Sequence, residues 1–307
     1  MRGTVIKSTG SFYDVMDETG KVISCKIRGQ LRLKGFEATN PIVVGDRVEI
    51  EIDSGHEQAG VILNLLERKN YILRKSVNLS KQRHIIAANI DRAYVIATPL
   101  LPKTSTGFID RFLATAQAYS ISAGVLFNKK DLYDGETTQY IESLKALYES
   151  IGYQCIIISA LSEKDIQALS SLMKGKVNLF SGHSGVGKST LINALVPGLN
   201  IKTQIISKQH QTGIHTTTFA EMHRIPSGGF IIDTPGIREF GIIDFDRNEV
   251  SHFFPEIFAR GRNCRFNNCL HDSETTCAVK DALASGEIRL SRYESYLSIL
   301  HNEDTFR

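Results

Sequence analysis

"NLFSGHSGVGKSTLINAL", residues 178–195, decides the fold. An apolar strand-like run ends at Ser181, a glycine-rich loop follows, and apolar residues then recur at helical spacing. The loop holds Gly182-x4-Gly187-Lys188-Ser189. Glycines let backbone N–H groups curl around phosphate oxygens, and the N-terminus of the following helix adds its positive dipole. Lys188 is spaced to reach the β- and γ-phosphates, and the Ser189 hydroxyl to ligate Mg2+. The residues expected to line the phosphates are Gly182, Gly185, Val186, Gly187, Lys188, Ser189 and Thr190.

Strands and helices alternate on either side of this loop. Upstream come the strand "RAYVIAT", the helix "FIDRFLATAQAYS", the strand "AGVLFN", the helix "TQYIESLKALYESIG", the strand "QCIIIS" and a helix near 163–173. Downstream, "FAEMHRI" and "GFIIDT" read as a hairpin turning at Pro226–Gly229. Such alternation predicts a doubly wound α/β domain over 85–245. Residues 1–67 follow a different rhythm: five short alternating runs separated by turn residues, which predicts a small closed barrel of the OB type. A basic linker spans 68–84; its "RKNYILRKSVNLSKQR" (68–83) has six Lys/Arg and no acid, and reads as a phosphate contact or a solvated connector. Residues 246–307 hold a Cys/His cluster and a closing helix near "RYESYLSILH".

The composition is that of an ordinary globular chain, 42% hydrophobic and 22% charged, and a net charge of +3 implies no particular partner. The first residues lack a signal-peptide core and no apolar run is long enough to span a bilayer, so the expected location is the cytoplasm, without membrane contact.

Two further runs place chemistry at strand ends. "FIIDTPGIREF" puts Asp233 where it would hold Mg2+ through water, and Gly236 where its N–H meets a γ-phosphate. Between the phosphate loop and Asp233 lies "QTGIHTTTFAEM"; Thr216, Thr217 and Thr218 are all candidates for a second Mg2+ hydroxyl. "LFNKKDLYDG" (126–135) closes the strand "AGVLFN" with Asn128-Lys129-Lys130-Asp131. There the Asp131 carboxylate would accept from guanine N1–H and the exocyclic amine, a pattern adenine does not offer. Asn128 would tie the loop down near N7, and the Lys129 stem would lie along the base. Ser159-Ala160 closes the next strand, where a backbone N–H would meet guanine O6. In open α/β sheets ligands bind at such carboxyl ends. The elements thus run base, base, phosphate, switch, switch: a circularly permuted GTP site. An ATP-dependent kinase using the same phosphate loop is disfavoured by Asn128 and Asp131.

The order NKKD, ISA, GHSGVGKS, GIHTTT, DTPG, between an OB-like segment and a Cys/His cluster, closely resembles the RsgA/YjeQ family across essentially the whole chain. That resemblance implies an OB domain, a permuted GTPase domain and a zinc domain, acting together on the small (30S) ribosomal subunit and its 16S rRNA in late maturation. It also aligns Thr217 with the family's switch threonine, so Ser189 and Thr217 are the expected Mg2+ ligands.

Cys264-x4-Cys269-x-His271-x5-Cys277 offers three thiolates and one imidazole, a donor set for one closed tetrahedral zinc site per chain. Cys25 and Cys155 stand singly in apolar runs and read as core. Where many GTPases carry a water-orienting glutamine, this chain has Ile237, so intrinsic hydrolysis of GTP to GDP should be slow. His215 is the nearest substitute and joins Lys188 and Thr217 as a catalytic candidate; its alternative is a contact with RNA or packing in the switch. In the RNA-centred version of the function, the OB domain and connector do the work and GTP is only a release timer. Lys26 and Arg28 share one strand face, with Arg32 and Lys34 close behind, and Phe12 and Tyr13 are expected to add stacking surface for RNA. The chain is expected to act as a monomer.

Overall fold

In the N-terminal body, β1 (Arg2–Ser8), β2 (Tyr13–Asp17), β3 (Val22–Ile27), β4 (Arg47–Ile52) and β5 (Ala59–Leu65) alternate inward and outward residues. In β3, Ile23 and Cys25 are buried while Val22, Ser24 and Lys26 are exposed. The pairings β1–β2, β2–β3, β3–β5, β5–β4 and β4–β1 close a five-stranded barrel, which leaves no strand edge unpaired. The structure is a computed structural model that describes residues 1–27, 41–52, 59–74, 84–201, 220–233 and 246–302.

A hairpin of β6 (Tyr71–Arg74) and β7 (His84–Ala88) follows the barrel. Through residue 74, then, the stretch read as a basic linker is packed structure. Ile72 and Leu73 are buried, and the Arg68 guanidinium lies against Asp46, with Nε and Nη2 donating to its two carboxylate oxygens at 2.7 Å each. Residues 75–83 lie outside the described residues. Asn89 completes the joint, donating from Nδ2 to the Gly45 carbonyl and accepting from the Lys69 N–H, both at 2.9 Å. Gly45 has φ +90° and a Cβ there would stand 2.0 Å from the Ala88 carbonyl oxygen, so only glycine lets the barrel approach this closely.

The α/β body contains β8 (Arg92–Ala97), β9 (Ser122–Phe127), β10 (Gln154–Ile157), β11 (Val177–Ser181), β12 (Glu221–Arg224) and β13 (Phe230–Asp233), in the order β10-β9-β8-β11-β13-β12. All neighbours are parallel except β12, the antiparallel partner of β13. Helices α1 (Thr106–Ala118) and α2 (Gly135–Ser150) bury Phe112, Leu113 and Ile141 on one face. On the other face α3 (Glu163–Met173) and α4 (Lys188–Leu195) bury Leu169, Leu191 and Leu195. The sheet is therefore doubly wound, as its sequence rhythm predicts. Its edge continues into the barrel: β12 pairs with β1, and Lys7 forms a 2.7 Å ion pair with Glu221.

The C-terminal segment carries α5 (Pro255–Gly261), α6 (Ala278–Ala284) and α7 (Leu290–Leu300). Its small core of Phe254, Ile257, Val279, Ile288 and Tyr296 is completed by Ala114 of α1. At this junction Arg292 of α7 is buried. It donates to Asp110 of α1 at 2.8 Å and to Glu256 of α5 at 2.6 Å, with its guanidinium 4.7 Å from the Phe254 ring centroid. Asp110 is 0% exposed and also accepts from the Tyr148 and Ser295 hydroxyls.

Removing one member of such a buried network strands the others. Arg292→Ala is expected to cost about 3–5 kcal/mol of stability in urea unfolding. Made in an Asp110→Ala background, the same substitution should cost clearly less, because contacting residues are not additive. Equal costs in both backgrounds would contradict the coupling.

Candidate nucleotide site and metal cluster

Parallel strands bring their carboxyl ends to one edge of the sheet, and every described part of the predicted site lies there. β9 runs into Asn128, β10 into Ser159, β11 into the glycine-rich loop, and β13 ends at Asp233. Side chains cap the N-termini of α1, α2 and α3: Ser105, Asp134 and Ser162 accept from the N–H groups of Phe108, Thr137 and Asp165. α4 has no such cap. It starts after Gly187 at φ +90°, with Gly185 at φ +86°, and Gly187 has no side chain with which to cap the first turn. A loop of this kind fits phosphate oxygens.

Asn128 joins three loops. It is 1% exposed; Nδ2 donates to the Val186 carbonyl at 2.9 Å and Oδ1 accepts from the Ala160 N–H at 3.1 Å. A backbone N–H of Ser159-Ala160 is expected to meet guanine O6; here the Ala160 N–H goes to Asn128 and the Ser159 N–H to Asp165. A buried carboxamide needs such partners. The approach is tight: a Cβ at Gly187 would stand 2.5 Å from Asn128 Nδ2. Tyr133 holds the same loop, its hydroxyl donating to the Asn128 carbonyl at 2.7 Å.

Asp131 is exposed and its Oδ1 accepts from the Ser159 hydroxyl; among the described residues Oδ2 has no partner. Lys129 takes a left-handed conformation at φ +67° and donates from Nζ to the Leu101 carbonyl at 2.6 Å, which lays its stem across the loop. Partial burial lowers its pKa below the usual lysine value, against the opposing charge of Asp131. Ser159 N–H donates to Asp165 Oδ2 at 2.9 Å. At the phosphate end Lys188 Nζ forms an ion pair with Asp233 Oδ1, bringing the phosphate lysine beside the expected Mg2+ carboxylate. The His183 ring lies 3.8 Å from the Phe108 ring, centroid to centroid, which ties the glycine loop to α1.

Sequence reasoning missed Tyr133, Asp165, Phe108 and Arg292. Asp165 had a signal, since Ser162-x-x-Asp165 has the spacing of a helix-capping pair; the others are tertiary contacts without a local pattern. His215, Thr217, Gly236, Ile237 and the other switch threonines lie outside the described residues, as do Arg28, Arg32 and Lys34. Lys26 is exposed, 4.9 Å from the centre of the Phe12 ring. The Tyr13 expectation is corrected: it is 1% exposed inside the barrel, because the alternation of β2 turns it inward, and it offers no stacking surface.

The second cluster is at the C-terminal end. Ligand atoms of Cys264, Cys269, His271 and Cys277 all lie within 4.8 Å of one another. Cys264 Sγ is 3.8 Å from Cys277 Sγ, and His271 Nδ1 is 3.6 and 3.4 Å from those two sulfurs. A tetrahedron with Zn–S of about 2.3 Å and Zn–N of about 2.0 Å has S···S edges near 3.8 Å and S···N edges near 3.5 Å, so the donor set fits zinc. The surrounding loop is held independently. Glu274 accepts from the N–H groups of Leu270 and Asp272, and the Tyr293 and Tyr296 hydroxyls donate to the His271 and Leu270 carbonyls at 2.6 Å. Cys25 and Cys155 are buried in other cores, as expected. His301, exposed at the end of α7, lies 3.2 Å from an Asp272 carboxylate oxygen.

Two family models match the chain. The RsgA GTPase family model matches residues 65–243, and the RsgA N-terminal domain model matches residues 2–62. The chain is 52% identical over 304 residues to a small ribosomal subunit biogenesis GTPase RsgA of Bacteroides fragilis, covering 99% of this chain and 97% of the relative. A relative of the same name from Christiangramia forsetii is 52% identical over 305 residues, with the same coverage. Among solved structures, YjeQ from Thermotoga maritima superposes with a TM-score of 0.80 at 35% identity, covering 100% of this chain and 99% of that one. YloQ, described as a circularly permuted GTPase, superposes at 0.75 with 30% identity over 98% of this chain and 94% of its own.

Metal analysis checks the second cluster. Purified protein should carry close to one zinc per chain, and Cys269→Ala should lose it together with the thermal stability of the 246–302 segment. A metal-free protein whose C-terminal segment unfolds at the same temperature would rule the site out.

Proposed function

Because the chain belongs to the RsgA GTPase family, we propose that it binds the small ribosomal subunit, hydrolyses GTP to GDP and phosphate faster when bound, and so assists late maturation of that subunit. The proposal includes the 16S rRNA as the surface contacted, a monomeric protein and a cytoplasmic location; among the described residues no helix is long and apolar enough to cross a membrane. It divides the chain into a barrel (1–67), a connector (68–84), a permuted GTPase domain (85–245) and a zinc domain (246–307). One observation carries the nucleotide reading: Asn128 bonds at once to the phosphate loop and to the Ser159-Ala160 loop.

In this reading Asp131 accepts from guanine N1–H and the exocyclic amine, the Lys129 stem lies along the base, and a backbone N–H of Ser159-Ala160 meets O6 on exchanging its bond within the protein for one to the base. Residues Gly182, Gly185, Val186, Gly187 and Thr190 surround the phosphates through their N–H groups, and Lys188 neutralises charge on the β- and γ-phosphates. Ser189 and Thr217 supply hydroxyls, and Asp233 an outer carboxylate, for Mg2+, which when bound offsets the charge that develops on the leaving phosphate. Gly236 offers its N–H to the γ-phosphate. A water oxygen bonds to the γ-phosphorus as the bond to the β–γ bridging oxygen breaks. Ile237 has no group to orient that water, so His215, ordered by docking, does so. The three thiolates and His271 hold a structural zinc that takes no part in this chemistry.

Turnover measured with and without purified small subunits tests the proposal. Hydrolysis should be slow alone and strongly stimulated by subunits. His215→Ala should keep GTP and subunit binding but lose most of the stimulated rate, as for an interaction made chiefly in the transition state. Equal turnover with and without subunits would overturn the coupling; full stimulation in His215→Ala would remove that residue from the mechanism.

A further inference from the structure

Outside the nucleotide edge, the C-terminal segment contains a cavity of about 320 Å³ between the turn at 248–252, α5 and the loop that carries the metal ligands. Its chemistry is unlike that of a packing defect. The stretch "RGRNCRFNNC" (260–269) supplies three arginines, and no Asp or Glu occurs between Ile257 and His271. Arg260 is neutralised by Glu287, but among the described residues Arg262 and Arg265 have no carboxylate partner. Each lies instead over an aromatic ring. Arg262 is 4.8 Å from the centre of the Phe258 ring, and Arg265 is 5.5 Å from that of Phe266. His252 meets the same Phe258 ring edge-on at 4.7 Å.

Two features turn this patch into a site. Phe266 is 54% exposed at the cavity rim, a large apolar surface with the Arg265 guanidinium over its ring. Asn267 and Asn268 line the cavity with carboxamides that make no hydrogen bond among the described residues, and Asn248 is fixed there through its Nδ2 bond to Asp246. The floor is rigid, because Cys269–His271 is held by the tyrosine and Glu274 bonds already described. Positive charge for a backbone, a flat ring for stacking and carboxamides for base edges are the three components of single-stranded nucleic-acid recognition. The volume is within the range of roughly 300–1,000 Å³ usual for small-molecule sites, which suits one unstacked base.

We infer that this cavity binds an unpaired nucleobase of single-stranded RNA, stacked on Phe266, with its edge read by Asn267 and Asn268 and the flanking phosphates met by Arg262 and Arg265. The inference rests on the proposed RNA partnership and assigns to it a site distinct from the barrel face. It also gives the metal cluster a task beyond stapling the segment: it fixes the chain that carries the base-reading residues.

The test uses the zinc-loaded full-length protein and fluorescein-labelled ten-nucleotide RNA homopolymers, read by anisotropy over a salt series. Phe266→Ala should weaken binding roughly tenfold with an unchanged salt slope, since stacking carries no charge. Arg262→Gln should weaken it and reduce the slope by about one. Asn267→Ala with Asn268→Ala should change the ranking among the homopolymers. Intrinsic GTP turnover and zinc content should match wild type in every variant, which separates loss of this site from loss of the nucleotide reading. Two results would overturn the inference. One is an abasic ten-mer that binds as tightly as its base-bearing parent. The other is oligonucleotide binding unchanged in all variants while small-subunit binding falls, which would make the cavity a protein-docking surface.

Discussion

One buried carboxamide holds the loops of the candidate nucleotide site together. Asn128 leaves the end of β9, donates to the loop after β11 and accepts from the loop after β10, so three separate segments share one position. Leaving its partners buried and unpaired would cost about 1–3 kcal/mol. That is enough to free the loops from one another without unfolding the sheet. Gly187 is part of the same constraint, since a side chain there would collide with the carboxamide. This arrangement depends on strand order in space and is indifferent to strand order along the chain. A permuted sequence can therefore build the site unchanged, because the described loops after β9, β10 and β11 emerge from carboxyl ends on one edge.

Permutation does change what is attached to that edge. The described chain ends β13 at Asp233, beside Lys188, and resumes in the C-terminal segment, while the barrel joins at β12 through β1 and again through Arg68 and Asp46. The junctions are packed joints rather than tethers. At one, Asp110 and Arg292 form a fully buried ion pair; at the other, Gly45 lets two backbones touch. Helix α1 carries both Phe108, which stacks on His183 of the phosphate loop, and Asp110, which meets the C-terminal helix. One helix thus touches both the glycine-rich loop and the C-terminal segment, at positions two residues apart.

Much of this was legible in the sequence because the relevant chemistry is local. Gly187-Lys188-Ser189, Asn128–Asp131 and Cys264-x4-Cys269-x-His271-x5-Cys277 each concentrate their function in a few adjacent positions. The rhythm of strands and helices likewise carries the doubly wound sheet. What stayed hidden is long-range. Asp110 and Arg292 are 182 positions apart, and each alone looks like a solvated charge on a helix. Arg68 opens a basic run and reads as part of it, yet Asp46 takes it into the interior. Tyr13 beside Phe12 looks like a stacking pair until the strand's alternation separates them, one inward and one outward. The cavity beside the metal loop was invisible for the same reason, since the turn at 248–252 and the 262–271 loop meet only in the fold.

The central claim is that Asn128–Asp131 reads guanine at a site assembled from permuted loops. Equilibrium binding of GTP, ATP and XTP to wild type and to Asp131→Asn tests it most directly. Guanine offers an amine at the purine 2-position where xanthine offers a carbonyl, so the exchange of a carboxylate for a carboxamide should invert the preference. The account predicts that wild type selects GTP over both others and that Asp131→Asn loses GTP and gains XTP. A variant that binds GTP as tightly as wild type, with XTP still excluded, would contradict it.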